Sequence, residues 1–470
     1  MNPNSLWSLR LGFSNQQAAA IEKMGISKFL DASFKTNFDS SIPDFLKDSP
    51  KTLADYRELR KKYKDLTADQ KKELQQDFQK QEALTSLDMK AWWLDKMMHD
   101  NYPLQEKMTL FLHNHFVSTF QKVKINYWIF EHNQLLRKHA FGNFKDLTKA
   151  ILKSNAMLRY LDNVDNRKGK INENLSRELL ELFTLGIGNY TEEDIKNGAK
   201  ALAGLGVGEN GGVYRDRISD DSEIIYFSKK GHFKADDIVD IIFKQKNSPY
   251  LFTRKVLQWF IYDNPSEKLV TYYGDYFRKK DFEIKPLLEK IFTEEFDKKT
   301  AGSKIKNPLE YSLQLLSELH ISPRNSRPIV AFLKNQGMDL FNQPNVKGWE
   351  GGKSWLTSQI YLQRNNLADL YCSGRENFNQ RTMANMMDEN ENNNRPALRK
   401  TVIQLDWNKG TNKEIITELS DRLLFQVDQD AQKDFENIIK YDFDTQAQNA
   451  NQAVLRLFNA MVKEPEFQLI

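Results

Sequence analysis

Hydrophobic positions along most of the chain recur three and four residues apart, the spacing of helices that bury one face. The stretch 171–186, I-N-E-N-L-S-R-E-L-L-E-L-F-T-L-G, shows it best. Leu175, Leu179 and Leu182, with Leu180 and Phe183, form an apolar face. Asn172 or Asn174 supplies a short side-chain oxygen to cap the first turn, and Gly186 is suited to a left-handed close. Asn174, Arg177, Glu178 and Glu181 fall on one side of the same helix. A helix this rich in leucine is expected to lie deep, where charges must be paired or bound to a metal. Both Leu179 and Leu182 are expected to be buried.

The same spacing predicts further helices. Segment 89–120 is apolar, with Pro103 placed for a first turn and Leu104, Met108, Phe111, Leu112, His115 and Phe116 on one face. Helices are expected over 126–140 and 144–161, followed by a polar loop at 162–170. Thr191-Glu192-Glu193-Asp194 approximates a capping box, opening the next helix. Five glycines between 204 and 212 interrupt the pattern. Residues 213–227 then read as a short β-hairpin turning near 219–222. Helices resume over 236–244, 249–262, 266–279, 284–292 and 308–319, and later over 411–424, 431–439 and 444–462. Segment 51–90 is dense in charge and reads as long solvated helices broken near Thr67. Segment 373–400 is polar and reads as a linker or disordered loop. The expected fold is mainly α: a large multi-helix domain over 1–372 with a β-hairpin insertion at about 212–228, and C-terminal helices over 401–470 packing on it.

Composition narrows the function classes. The chain has 470 residues, 40% of them hydrophobic and 28% charged, and a net charge of only +4. That near balance argues against a dedicated nucleic-acid binder. A single cysteine, Cys372, leaves no internal disulfide and no cysteine-rich zinc module. No run approaches the length of a membrane span. The start, M-N-P-N-S-L-W-S-L-R-L-G-F, lacks the charged and apolar regions of a secretory signal. A cytoplasmic location is the expectation, or an exported one if a leader has been removed.

Several residue groups invite chemistry. His113 and His115 stand two apart, so on a regular helix they point about 200° from each other. A buried structural histidine, a metal ligand and an acid–base group are the readings each allows. Glu178 and Glu181 are three apart and can share one cation, or one of them can act as an acid. Arg177 can instead pair with a carboxylate from a neighbouring helix. Gly351-Gly352-Lys353-Ser354 resembles the tail of a phosphate loop, but Lys347 stands where the first glycine is required. A tight turn packing Trp349 and Trp355 is one reading. A substrate-lining loop with Trp349, Lys353, Trp355 and Arg364 is the other. No serine nucleophile elbow, H-E-x-x-H or dinucleotide fingerprint is present.

Together these stretches carry a resemblance. The segments N-S-L-W-S-L-R-L-G (4–12), P-L-Q-E-K-M-T-L-F-L-H-N-H-F-V (103–117), A-M-L-R-Y-L-D-N (156–163), 171–186, F-T-R-K-V-L-Q-W-F (252–260), Q-P-N-V-K-G-W-E-G-G-K-S-W-L (343–356) and P-E-F-Q-L (465–469) resemble the bacterial family catalogued as domain of unknown function 1800. Where relatives carry His-Asp followed by lysine, this chain has Asp220-Asp221. The resemblance implies a protein acting beside a phosphatase- or sulfatase-like partner. Two classes follow: an accessory or scaffold protein, or a metal-assisted hydrolase. The second would hold one divalent metal ion on His113, His115, Glu178 and Glu181, with Glu178 and Arg177 in catalytic roles.

Overall fold

A computed structural model describes residues 1–36, 38–62, 67–323, 326–373, 403–440, 444–447 and 449–470. The protein is mainly α, with two small two-stranded antiparallel sheets among the described residues. Buried side chains from Leu6 to Ile470 form one contiguous apolar cluster. Apart from Ser373, the polar segment 373–400 lies outside the described residues.

The 32-residue helix Ala68–His99 spans roughly 48 Å at the usual rise per residue. Thr67 and Gln70 form a reciprocal capping box at its start. Its first half is exposed and its second half buries Met89, Trp93, Leu94 and Met97. That change follows the sequence, which passes from charged to apolar residues at about position 85.

The helix Leu104–His115 is central, and nearly all its residues are buried. Its two charged positions, Glu106 and Lys107, are matched inside the protein. The Arg137 guanidinium, from the helix Asn126–Lys138, donates to both Glu106 oxygens at 2.7 and 2.8 Å. Trp93 Nε1–H adds a third bond to Glu106 at 2.7 Å. Lys107 reaches Glu310, from the helix Pro308–Glu318, at 2.5 Å. Buried charges of this kind persist only where partners replace the lost water.

The β insertion pairs differently from the sequence expectation. Leu205–Gly206 pairs with Val213–Tyr214, and Ile224–Tyr226 pairs with Lys229–Gly231. The second turn is Phe227-Ser228, at φ of 45° and 63°, the left-handed pair that matches the twist of a two-residue hairpin. Residues 219–222 instead connect the two ladders. The glycine-rich stretch thus contributes its own strand, which alternation alone did not reveal.

The organising stretch also departs from a plain α-helix. It is α-helical over Asn174–Glu178 and π-helical over Leu179–Thr184. Asn172 Oδ1 accepts the Asn174 N–H at 3.0 Å, and Gly186 closes the element at φ 84°. The wider π turn rotates the side chains that follow it. Leu179, Leu180 and Phe183 are buried, whereas Leu182 is only half-buried.

Candidate functional site

The Leu104–His115 helix ends in His113-Asn114-His115, and these residues join two distant segments. His115 Nε2–H donates to the Phe183 carbonyl at 3.0 Å. A carbonyl only accepts, so the proton is assigned to Nε2 and Nδ1 carries the lone pair. The Lys255 amine, from the helix Tyr250–Phe260, lies 3.3 Å from that Nδ1 and donates to the Leu182 carbonyl at 2.9 Å. The last turn of any helix leaves carbonyls without partners. Here His115 and Lys255 supply partners for two of them, Phe183 and Leu182.

Burial sets the electrostatics. It holds His115 well below the usual histidine range, with Lys255 adding repulsion. Desolvation brings the Lys255 amine down to about 8.

His113 faces another way. Gln343 Nε2–H donates to the His113 carbonyl at 3.2 Å and lies 3.3 Å from its Nδ1. The His113 ring packs against Trp93, His132 and Phe341, with centroids 5.6, 5.3 and 5.1 Å away. Burial, then His132, keeps His113 well below its ordinary value. Between the two histidines, Asn114 Oδ1 accepts the Trp349 N–H at 2.7 Å. Gly348, at φ 86°, lies against Asn114 with no room for a Cβ.

Glu178, Glu181 and Arg177 lie outside this closed junction. All three are half-exposed, which corrects the expectation of a deeply buried polar stripe. The π turn and the short α segment leave this side of the element facing outward. Arg177 pairs with Glu192 through two bonds of 3.0 Å and with Glu173 at 3.1 Å. Glu181 accepts from the Tyr190 hydroxyl at 3.0 Å. Partial burial, then the neighbouring Glu181, raises the Glu178 carboxyl. His113, His115 and the glutamates do not share a focus. Among the described residues, no three His, Cys, Asp or Glu side chains are grouped to hold a metal ion.

The glycine-rich loop is divided in the same manner. Trp349 and Trp355 are buried and Lys353 is exposed. Arg364 is wholly enclosed, with hydrogen bonds to Gln336, Gln468 and the Lys306 carbonyl and its guanidinium 4.8 Å from the Tyr311 ring centroid. It holds the fold there and does not face a cleft with the other three. Asp221 pairs with Lys234 at 3.3 Å, and its carbonyl accepts from His232 Nδ1–H at 2.8 Å. A lysine therefore does meet this acidic turn, from further along the chain.

Sequence reasoning missed Lys255, His132 and Gln343. Lys255 had a readable signal: it shares the three-and-four spacing of Phe252, Val256 and Trp259, so it lies on a buried face. His132 had the same signal, three and four residues from Ile129, Trp128 and Leu136; Gln343, in a loop, had none.

Three of the resembling stretches, 103–117, 171–186 and 343–356, thus meet at one buried junction. No curated protein and no solved structure matches the chain. The family described as "Protein of unknown function (DUF1800)" matches residues 5–469, nearly the entire length, and the chain belongs to that family.

Proposed function

We propose that this is an accessory or scaffold protein that acts with a partner rather than a hydrolase built on its motif histidines. The bond from His115 to the Phe183 carbonyl carries this reading: two motif stretches lock together inside the core. Both nitrogens of His115 and Nδ1 of His113 already have protein neighbours. A metal-assisted hydrolase would need those nitrogens and the Glu178 and Glu181 carboxylates turned toward one ion. The family resemblance makes a phosphatase- or sulfatase-like protein the partner to test. None of the described helices is long and apolar enough to cross a membrane.

The test is to combine the purified protein with such a partner, size the mixture by chromatography with light scattering, and measure metal content separately. A complex of defined stoichiometry, with Glu178→Gln leaving metal content unchanged, is the expected result. Near-stoichiometric zinc, manganese or iron that Glu178→Gln releases, together with phosphoester or sulfate-ester hydrolysis lost in the same variant, would overturn the proposal in favour of the hydrolase.

A further inference from the structure

Three connections between helices meet at one place on the surface. Residues 138–146 join the helices Asn126–Lys138 and Phe144–Leu152. Residues 244–248 follow the helix Ala235–Phe243, and 278–285 join Glu267–Lys279 to Ile284–Phe296. Hydrogen bonds hold the three together. The Phe144 N–H donates to the Phe282 carbonyl and the Ile284 N–H to the Gly142 carbonyl, both at 2.9 Å. The Arg278 guanidinium donates to the carbonyls of Gln245 at 2.6 Å and Lys246 at 2.8 Å. Beneath them the Phe243 and Phe282 rings pack with centroids 4.8 Å apart.

These stretches gather positive charge. They carry seven lysines and Arg278 against Asp146, Asp281 and Glu283, an excess larger than the +4 of the whole chain. The rest of the chain is therefore close to neutral. Lys138, Lys244, Lys246, Lys279 and Lys280 are exposed. None of the eight cations has a carboxylate partner among the described residues. Two adjoining carboxylates are already engaged, Asp240 with Lys149 at 2.7 Å and Asp275 with the Tyr250 hydroxyl at 2.8 Å. Three helices end here, and a cation near each C-terminus offsets its dipole. That accounts for three of the eight and leaves the others without a structural reason.

The chemistry of these cations narrows what covers them. All but one are lysines, point charges on flexible stems, whereas nucleic-acid and protein contacts favour arginine forks and aromatic anchors. The one arginine is held by main-chain carbonyls. The rings nearby offer no stacking platform. Phe282 is buried and Phe34 and Phe141 are half-buried, with Lys285 5.3 Å over Phe34 and Lys280 5.6 Å over Tyr276. We infer that this surface adsorbs to an anionic lipid bilayer, its lysines meeting the phosphate headgroups. Clustered lysines are attracted to acidic headgroups roughly additively, and salt screens that attraction. None of these residues belongs to the buried junction, so this surface and the accessory reading stand or fall separately.

The test is flotation of the purified full chain with vesicles of equal parts phosphatidylglycerol and phosphatidylcholine, beside vesicles of phosphatidylcholine alone. The protein should float with the first and not with the second, and added salt should release it. The triple variant Lys246→Glu, Lys279→Glu, Lys280→Glu should weaken binding by at least about tenfold. Its melting temperature should be unchanged, because all three side chains are exposed. If it is destabilised, glutamine at the same three positions takes its place. Lys71→Glu, Lys72→Glu, Lys80→Glu makes the same change of net charge on the exposed half of the long helix and should leave binding within about twofold of wild type. No flotation with the anionic vesicles, equal flotation with the neutral ones, an unimpaired first triple, or a second triple as impaired as the first would each overturn the inference. So would tighter binding to duplex DNA at matched phosphate concentration that the first triple abolishes, since the occupant would then be a nucleic acid.

Discussion

Lys107 and Glu310 meet at 2.5 Å with neither side chain exposed to solvent. Lys107 also donates to the carbonyls of Leu9 at 3.0 Å and Gly12 at 2.6 Å, fastening the first helix, Pro3–Leu11, to the centre. Glu310 accepts the Asn307 N–H in a capping box at 2.8 Å. Lys304 also pairs with Glu310, at 3.3 Å, so Lys107→Met should cost about 3 kcal/mol: it removes one of two buried cations from the carboxylate and leaves the Leu9 and Gly12 carbonyls without their donor. Urea denaturation of the variant measures this. A midpoint equal to wild type would mean that the pair holds nothing together.

Leu179 and Leu182 should respond unequally. Leu179 is fully buried, and Leu179→Ala should cost about 2–5 kcal/mol. Leu182 is half-buried, so Leu182→Ala should cost about 1 kcal/mol. Matching losses in thermal denaturation would place both on one α-helical face and remove the π turn from the account.

Three buried histidines make the protein acid-sensitive. Burial holds His113 and His115 well below their ordinary value, and brings His132 down to about 4. Above the unfolded histidine value, near 6.5, both folded and unfolded chains carry them neutral and stability is complete. As the pH falls from there toward 4, the unfolded chain takes up protons that the folded chain cannot, so stability declines. His132 alone should account for about 3 kcal/mol by pH 4, at roughly 1.4 kcal/mol per unit. The urea midpoint should already drop between pH 6.5 and 5, before most carboxylates titrate. A flat midpoint over that interval contradicts the burial of these rings.

Gly348→Ala tests the junction itself. The added methyl would meet the Asn114 carbonyl oxygen at 2.6 Å, on a backbone with φ 86°. Gly337 has a similar φ of 82° but open space around it. Gly337→Ala should thus show the backbone cost alone, about 1 kcal/mol, and Gly348→Ala at least about 2 kcal/mol more. Equal melting temperatures for the two variants would mean that the 343–356 loop can lift from Asn114 freely.

The periodic parts of the fold were legible in the sequence. The stripe of Leu104, Met108 and Leu112, the Thr191 capping box and the Gly186 close all rest on local spacing, and the structure has each of them. The π turn was not legible, since the run L-L-E-L-F suits either helical period over so few residues. The partners that keep Arg10, Glu106, Lys107, Arg137 and Glu310 inside were not legible, because each lies far along the chain. The candidate site divides the same way. That His113 and His115 point apart follows from helical geometry. That Gln343 and Phe183 are what they meet could not be read from any local pattern.

The His113-Asn114-His115 junction also has a consequence in time. Its three bonds link positions 68, 230 and 235 residues apart. Closing loops of that size is a late event in folding, after shorter-range helix pairs have gathered. Contacts absent from the transition state scarcely alter how quickly a chain folds, but they govern how long the folded form lasts. Weakening this clasp should leave the refolding rate nearly untouched and shorten the native lifetime.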